Sequence, residues 1–437
     1  MRTFRRGAIL LMAGAAALSA PGARAAAAET IALVGGTVHP VGTPDVPNGT
    51  VVIRDGRIVA VGAGIAVPAD ARRVDIAGKH VYPSLFPAVT VLGLVEISSV
   101  RATVDTIELG EVNPQARADF AVNFDSELLP VARSAGILVA GITPTGGIVS
   151  GSLAVMNLEG WTREDATIKA PAAIFVVWPN LTLDRSPSAR FSVRLQERRR
   201  DEALEKLREA FQAARAYAAA RSAEGKSGVP RHDFDARLEA LVPAVEGRVP
   251  VIVDVHTVRQ IRAAIAWLKE ENLTGALFGG EDGWRIADEI AKAGVPAIVQ
   301  SLPLPAHADD PYDAGYANAG VLARAGVRVA FNDGATAFTA PTVRDLPHQA
   351  AAAVAYGFPR EKAVAAMTLE PARILNVADQ VGTLEPGRRA TLIVTDGDLL
   401  DLRSHVVAAY LNGRPLDLTD KQKRLWERYR GRPRKQP

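Results

Sequence analysis

Six short apolar runs, set apart by helix-like stretches, restrict the folding of this chain more than any other feature. They are ILVAGIT (137–143), AAIFVVW (172–178), VPVIVDV (249–255), GALFG (275–279), PAIVQ (296–300) and VRVAFN (327–332). Continuous hydrophobic runs of this length suit strands buried on both faces, as in parallel sheets. Between several of them lie TVRQIRAAIAWLKEENL, GWRIADEIAKAG and AGYANAGVLARAG, all helical in pattern. Alternation sustained over roughly 300 residues predicts a (β/α)8 TIM-like barrel, with a doubly wound open sheet as the alternative. A long charged helix near 191–225 interrupts the pattern, and its charges read as a solvated face with i,i+4 pairs.

The two flanks of the barrel (residues 81–379) are strand-and-turn. Asp55-Gly56 and Asn412-Gly413 are two-residue hairpin signals. Residues 26–80 and 380–417 each hold too few strands to bury a face, so together they are expected to build one small β-sandwich domain.

The first 25 residues read as a signal peptide. Arg2, Arg5 and Arg6 precede a mostly apolar stretch from Gly7 to Leu18, and Ala23-Arg24-Ala25 is a small-residue cleavage site. Export to the periplasm is the expectation, with no stable membrane insertion. Four arginines leave with this segment, which takes the net charge from +3 to about −1 and removes any general case for a nucleic-acid partner. Residual basicity lies in the C-terminal tail, residues 418–437, which reads as solvated and frayed. There is no cysteine, so thiolate chemistry and Cys-ligated metal are excluded.

In a barrel the chemistry sits where strands end at their carboxyl side. The residues there are Val89 and Val91 on the first strand, Asp254 and His256 on the fifth, Gly279 on the sixth, and Asn332 and Asp333 on the eighth. The Gly-rich stretch TPTGGIVSGS (143–152) is either an anion cradle or a plain barrel loop. His256 is either an acid–base group or hydrogen-bonded scaffold. Glu281 and Asp282 read as loop acids before a helix, and His307 follows the seventh strand.

GTVVIRDGRIVAVG with GKHVYPSLFPA, and above all the exit MTLEPARILNVADQVGTLEPGRRATLIVTDGDLLDL, resemble the amidohydrolase superfamily. EVNPQARADFAVNFDSELLPVARSAGILVAGITPTGGIVSGSLAVMNLEGWT is similar to its exported, imidazolonepropionase-like branch. That resemblance implies one or two divalent metals activating water against a C–N bond. It places the first-strand H-x-H at Val89 and Val91, and a lysine at Phe175. The fifth-strand histidine falls on Asp254, the sixth-strand histidine on Gly279, and the eighth-strand acid on Asp333. It also puts Gly146, Gly147, Ser150 and Asp254 at the substrate mouth.

Valine, phenylalanine and glycine side chains offer a metal no lone pair. The resemblance with these replacements therefore implies a metal-deficient pseudoenzyme that needs no cofactor. Such a protein would bind a small ligand, or would partner a second copy or an active homologue as a non-catalytic subunit. The alternative is a hydrolase of C–N bonds with an atypical single divalent metal near Asp254, His256 and Asp333.

Overall fold

The computed structural model describes residues 29–432 apart from 226, 227, 229, 232 and 301–304. The leader, His232 and the last five residues therefore lie outside the described residues. No helix among the described residues is long and apolar enough to cross a membrane.

Both ends of the chain meet in one eight-stranded sheet. Its central strand, Ile31–Val38, pairs with Val46–Arg54 on one side and with His80–Pro83 on the other, and Leu392–Thr395 joins beyond. The hairpin signals do what their residues require. Asp55 and Gly56 take φ of 52° and 74°, and Asn412 and Gly413 take 48° and 77°, the left-handed pair that lets a two-residue turn follow the strand twist. The two turns also touch, since Ala390 N–H donates to Gly56 and Gly413 N–H donates to Ala390, each at 2.8 Å. A separate core that includes Ile31, Leu33, Val51, Ile53, Leu392 and Tyr410 lies against this sheet.

The other sheet is the barrel. Residues 85–92 form its first strand by isolated parallel bridges, Leu85 to Ile137 and Thr90 to Ile142. Seven further strands follow in order: Val139–Ile142, Val149–Asn157, Thr167–Val177, Val251–Val255, Gly275–Gly279, Ala297–Val299 and Val329–Phe331. Each of the six apolar runs overlaps one of them. The third strand, Val149–Asn157, was not among those runs, and it is antiparallel to both neighbours. Part of the expected loop 143–152 is therefore strand: Val149–Ser152 is fully buried within it.

One side chain bridges the first and eighth strands. Among the described residues no strand ladder joins the eighth strand to the first. Instead Asn332, buried just past the eighth strand, accepts from the Val89 N–H at 3.0 Å and donates to the Val89 carbonyl at 2.8 Å. One amide thus satisfies both polar groups of a buried peptide segment, as a paired strand would.

The inserted helix is Val193–Ala223. It buries Leu207, Phe211, Ala214 and Tyr217, with Phe211 edge-on to Trp267 at 5.1 Å. Its outer side carries the expected charges, including an i,i+4 pair of Arg198 and Glu202 at 3.6 Å. The C-terminal segment corrects the expectation of a frayed tail. It forms a helix, Lys421–Arg430, with Asp420 accepting from the Lys423 N–H at 2.8 Å as its cap.

Candidate functional site

The carboxyl ends of the first and fourth strands are filled with hydrocarbon. Val89 is 0% exposed, and Val91 and Phe175 are 1% exposed, all within the main core. Phe175 meets Phe278 edge-on at 5.8 Å. Gly279 closes the sixth strand at φ 85°, and a Cβ there would stand 2.8 Å from the Val255 carbonyl oxygen. Any side chain at that position is strained by both backbone and space. The dinuclear centre that the resemblance implies does not fit Val89, Val91, Phe175 and Gly279, whose side chains offer a metal no donor.

Polar groups gather instead over the fifth and sixth strands. His256 Nδ1 lies 2.9 Å from Glu281 Oε2, and its Nε2 lies 3.5 Å from Asp254 Oδ1. The bond to Glu281, with the charges of Glu281 and Asp254, pushes the His256 imidazole up to about 9. It is thus an imidazolium at neutral pH, donating to Glu281, and is a poor general base. Burial pushes Asp254 up to about 6, moderated by His256 and reinforced by Glu281. Its Oδ1 is buried without a hydrogen-bond partner. Gln260 fixes the strand ends below. It accepts from the N–H groups of His256 and Thr257 at 3.1 Å and donates to the carbonyls of Trp178 and Pro179 at 3.3 Å. An open groove of about 460 Å³ runs past His256, Gln260, Trp178 and Gly147.

Next to this lies a second cluster. His307 Nε2 is 3.0 Å and 3.1 Å from the two oxygens of Asp282. Asp282 also accepts from the Val258 N–H at 3.2 Å, so it serves the start of the helix Val258–Glu270. The donor atoms of Asp282, His307 and Asp310 lie within 4.8 Å of one another, close enough to hold a single cation. Arg285 already supplies positive charge there, paired with Asp310 and 3.4 Å from Asp282.

Asp333 pairs with the Gln349 amide. Burial pushes it up to about 6, against the Thr342 hydroxyl and with the help of Asp345. An acid whose folded pKa lies above its unfolded value keeps its proton longer in the native state. Its effect is therefore a loss of stability as pH rises from about 4 to about 6. Asp333→Asn is expected to match the parent near pH 4 and to exceed it near pH 8 by up to about 3 kcal/mol, read from urea midpoints. A variant weaker than the parent near pH 8 contradicts this.

The amides that flank the two glycines of the Gly-rich turn are engaged. Thr145 N–H donates to Thr106, and those of Ile148 and Val149 donate to Glu111, at 2.6, 2.6 and 3.0 Å. Gly146 and Gly147 take the positive φ of the turn, and only Gly147 of this stretch reaches the groove beside His256, together with Ile148. Ser150 is buried with its hydroxyl unpartnered. The structure thus brings Asp254, His256 and Gly147 to one region, and Ser150 and Asp333 do not line that groove. Sequence reasoning passed over Gln260 and Gln349. Thr257-x-x-Gln260 is a capping-box spacing and could have marked the first; nothing local marks the second.

The amidohydrolase family model matches residues 160–418. Among solved structures, an amidohydrolase from Thermotoga maritima MSB8 is 23% identical, with a TM-score of 0.76 over 89% of this chain and 99% of that one. Phenylurea hydrolase B is 16% identical, with a TM-score of 0.53 over 89% and 97%. Molinate hydrolase is 18% identical, with a TM-score of 0.52 over 90% and 95%. These likenesses concern the fold. No curated protein matches the chain.

Proposed function

The chain belongs to the amidohydrolase family, and from that premise we propose that it is an exported, metal-deficient member without hydrolytic turnover. It acts as a small-ligand binder or as the non-catalytic subunit beside an active homologue. One observation carries this reading: Val89, Val91 and Phe175, onto which the resemblance puts ligands of the family's metal centre, are 0–1% exposed within the apolar core. A buried cation there would lack both donors and charge compensation. The groove past His256 and Trp178 supports ligand binding, since it joins an apolar wall to a charged imidazole.

A second reading, a C–N hydrolase with one metal, draws on the close donors of Asp282, His307 and Asp310. Arg285 weighs against it, because the guanidinium already neutralises that acid cluster. Metal analysis of the chain purified from its native envelope separates the two. The expected content is below about 0.1 equivalent after dialysis, with a second barrel carrying H-x-H as the companion if the subunit role holds. About one equivalent of zinc or manganese, lost on Asp282→Ala, overturns the metal-free reading.

A further inference from the structure

The helix Lys421–Arg430 turns an apolar arc away from the protein. Leu425, Trp426 and Tyr429 are 42%, 67% and 49% exposed, and at 100° per residue they share an arc of roughly 100°. No residue of the helix is buried, and its contacts with the rest of the chain come from the other side. Arg424 lies 3.1 Å from both carboxylate oxygens of Glu127, and Lys423 donates to the Leu418 carbonyl at 2.7 Å. Just before the helix, Leu416 and Leu418 pack on the barrel core. The aromatic side of the helix therefore faces away from these contacts.

Charge completes the pattern. From Lys421 to Arg432 there are six basic side chains and one acid, Glu427, for a net +5. Lys421 and Arg428 flank one edge of the arc and Arg430 the other, with Arg428 5.4 Å from the centre of the Tyr429 ring. The chain after its leader is near neutral overall, so this basicity is local. Trp and Tyr present an apolar body and a polar tip, which suits the depth of lipid headgroups. Flanking cations suit the phosphates around them.

We infer that this helix docks the protein on an anionic phospholipid surface, lying in the interface with Leu425, Trp426 and Tyr429 toward the acyl chains. The docking is peripheral and independent of any activity in the barrel.

The test is sedimentation of the full chain with vesicles of phosphatidylcholine containing about 30% phosphatidylglycerol. Because residues 1–25 are present in every sample, the quantity read is the difference between parent and variants. Trp426→Ala with Tyr429→Ala is expected to weaken binding about tenfold, and about 0.5 M salt to weaken it at least as much. Trp161→Ala, at another exposed tryptophan, is expected to leave it unchanged. Parent-like binding by the double variant overturns the inference, as does equal binding to pure phosphatidylcholine. Stronger retention by single-stranded nucleic acid than by the anionic vesicles also overturns it.

Discussion

Asn332→Leu is expected to lower stability by about 3–5 kcal/mol, seen as a large fall in the urea midpoint. The substitution leaves the Val89 N–H and carbonyl, both buried, without partners, and each orphaned backbone group costs about 1–3 kcal/mol. Asn332→Asp separates loss of the bridge from a change of shape. Its carboxylate still accepts from the Val89 N–H, but it faces the Val89 carbonyl with no proton to give. A buried acid in that position holds its proton more tightly in the native state, so this variant should regain stability on acidification from about pH 8 to about pH 5. The leucine variant should not. A cost below about 1 kcal/mol for Asn332→Leu would mean that the barrel closes by other contacts.

The double variant Val89→His/Val91→His should fail as a restoration of the family's metal pair. Each imidazole enters a site that is 0–1% exposed. Burying a polar group without a partner costs roughly 1–3 kcal/mol, and the added volume costs roughly 1–3 more. The total of about 4–12 kcal/mol is comparable with the whole stability of an ordinary domain. The protein is expected to accumulate as insoluble or loosened material and to retain less than about 0.1 equivalent of zinc. Adding Gly279→His does not help, because that backbone sits at φ 85° with the Val255 carbonyl 2.8 Å from the new Cβ. A soluble double variant with parent-like stability and one equivalent of zinc would refute the argument.

The barrel was legible because its signal is redundant: six apolar runs, each long enough to be recognised alone, each overlap a strand. The two hairpin turns were legible because Asp-Gly and Asn-Gly leave the backbone few choices. The third strand hid in VSGSLAVMN, whose Gly and Ser read as loop. Its polarity is met locally, as where the Ser152 hydroxyl donates to the Pro114 carbonyl at 2.9 Å. The C-terminal helix hid because its cations outnumber its apolar residues, although Leu425, Trp426 and Tyr429 fall on one side.

That Val89 and Val91 offer a metal nothing could be read one residue at a time, since no fold makes valine a ligand. The pairing of His256 with Glu281 was less accessible. Adjacent strand ends put them near each other, but only rotamers decide that they meet. The bridge from Asn332 to Val89 spans 243 positions, and no local pattern foretells such a contact.

The reversal of the third strand changes what this protein can become. A barrel usually diversifies by letting each connection above the rim grow, with a crossover helix to steady it. Between the second and third strands here there is only the tip around Gly146 and Gly147, pinned by carbonyls of Thr106 and Glu111. The far wall of the groove is built differently, with Trp178 and Asn180 on the connection after the fourth strand and His256 on the one after the fifth.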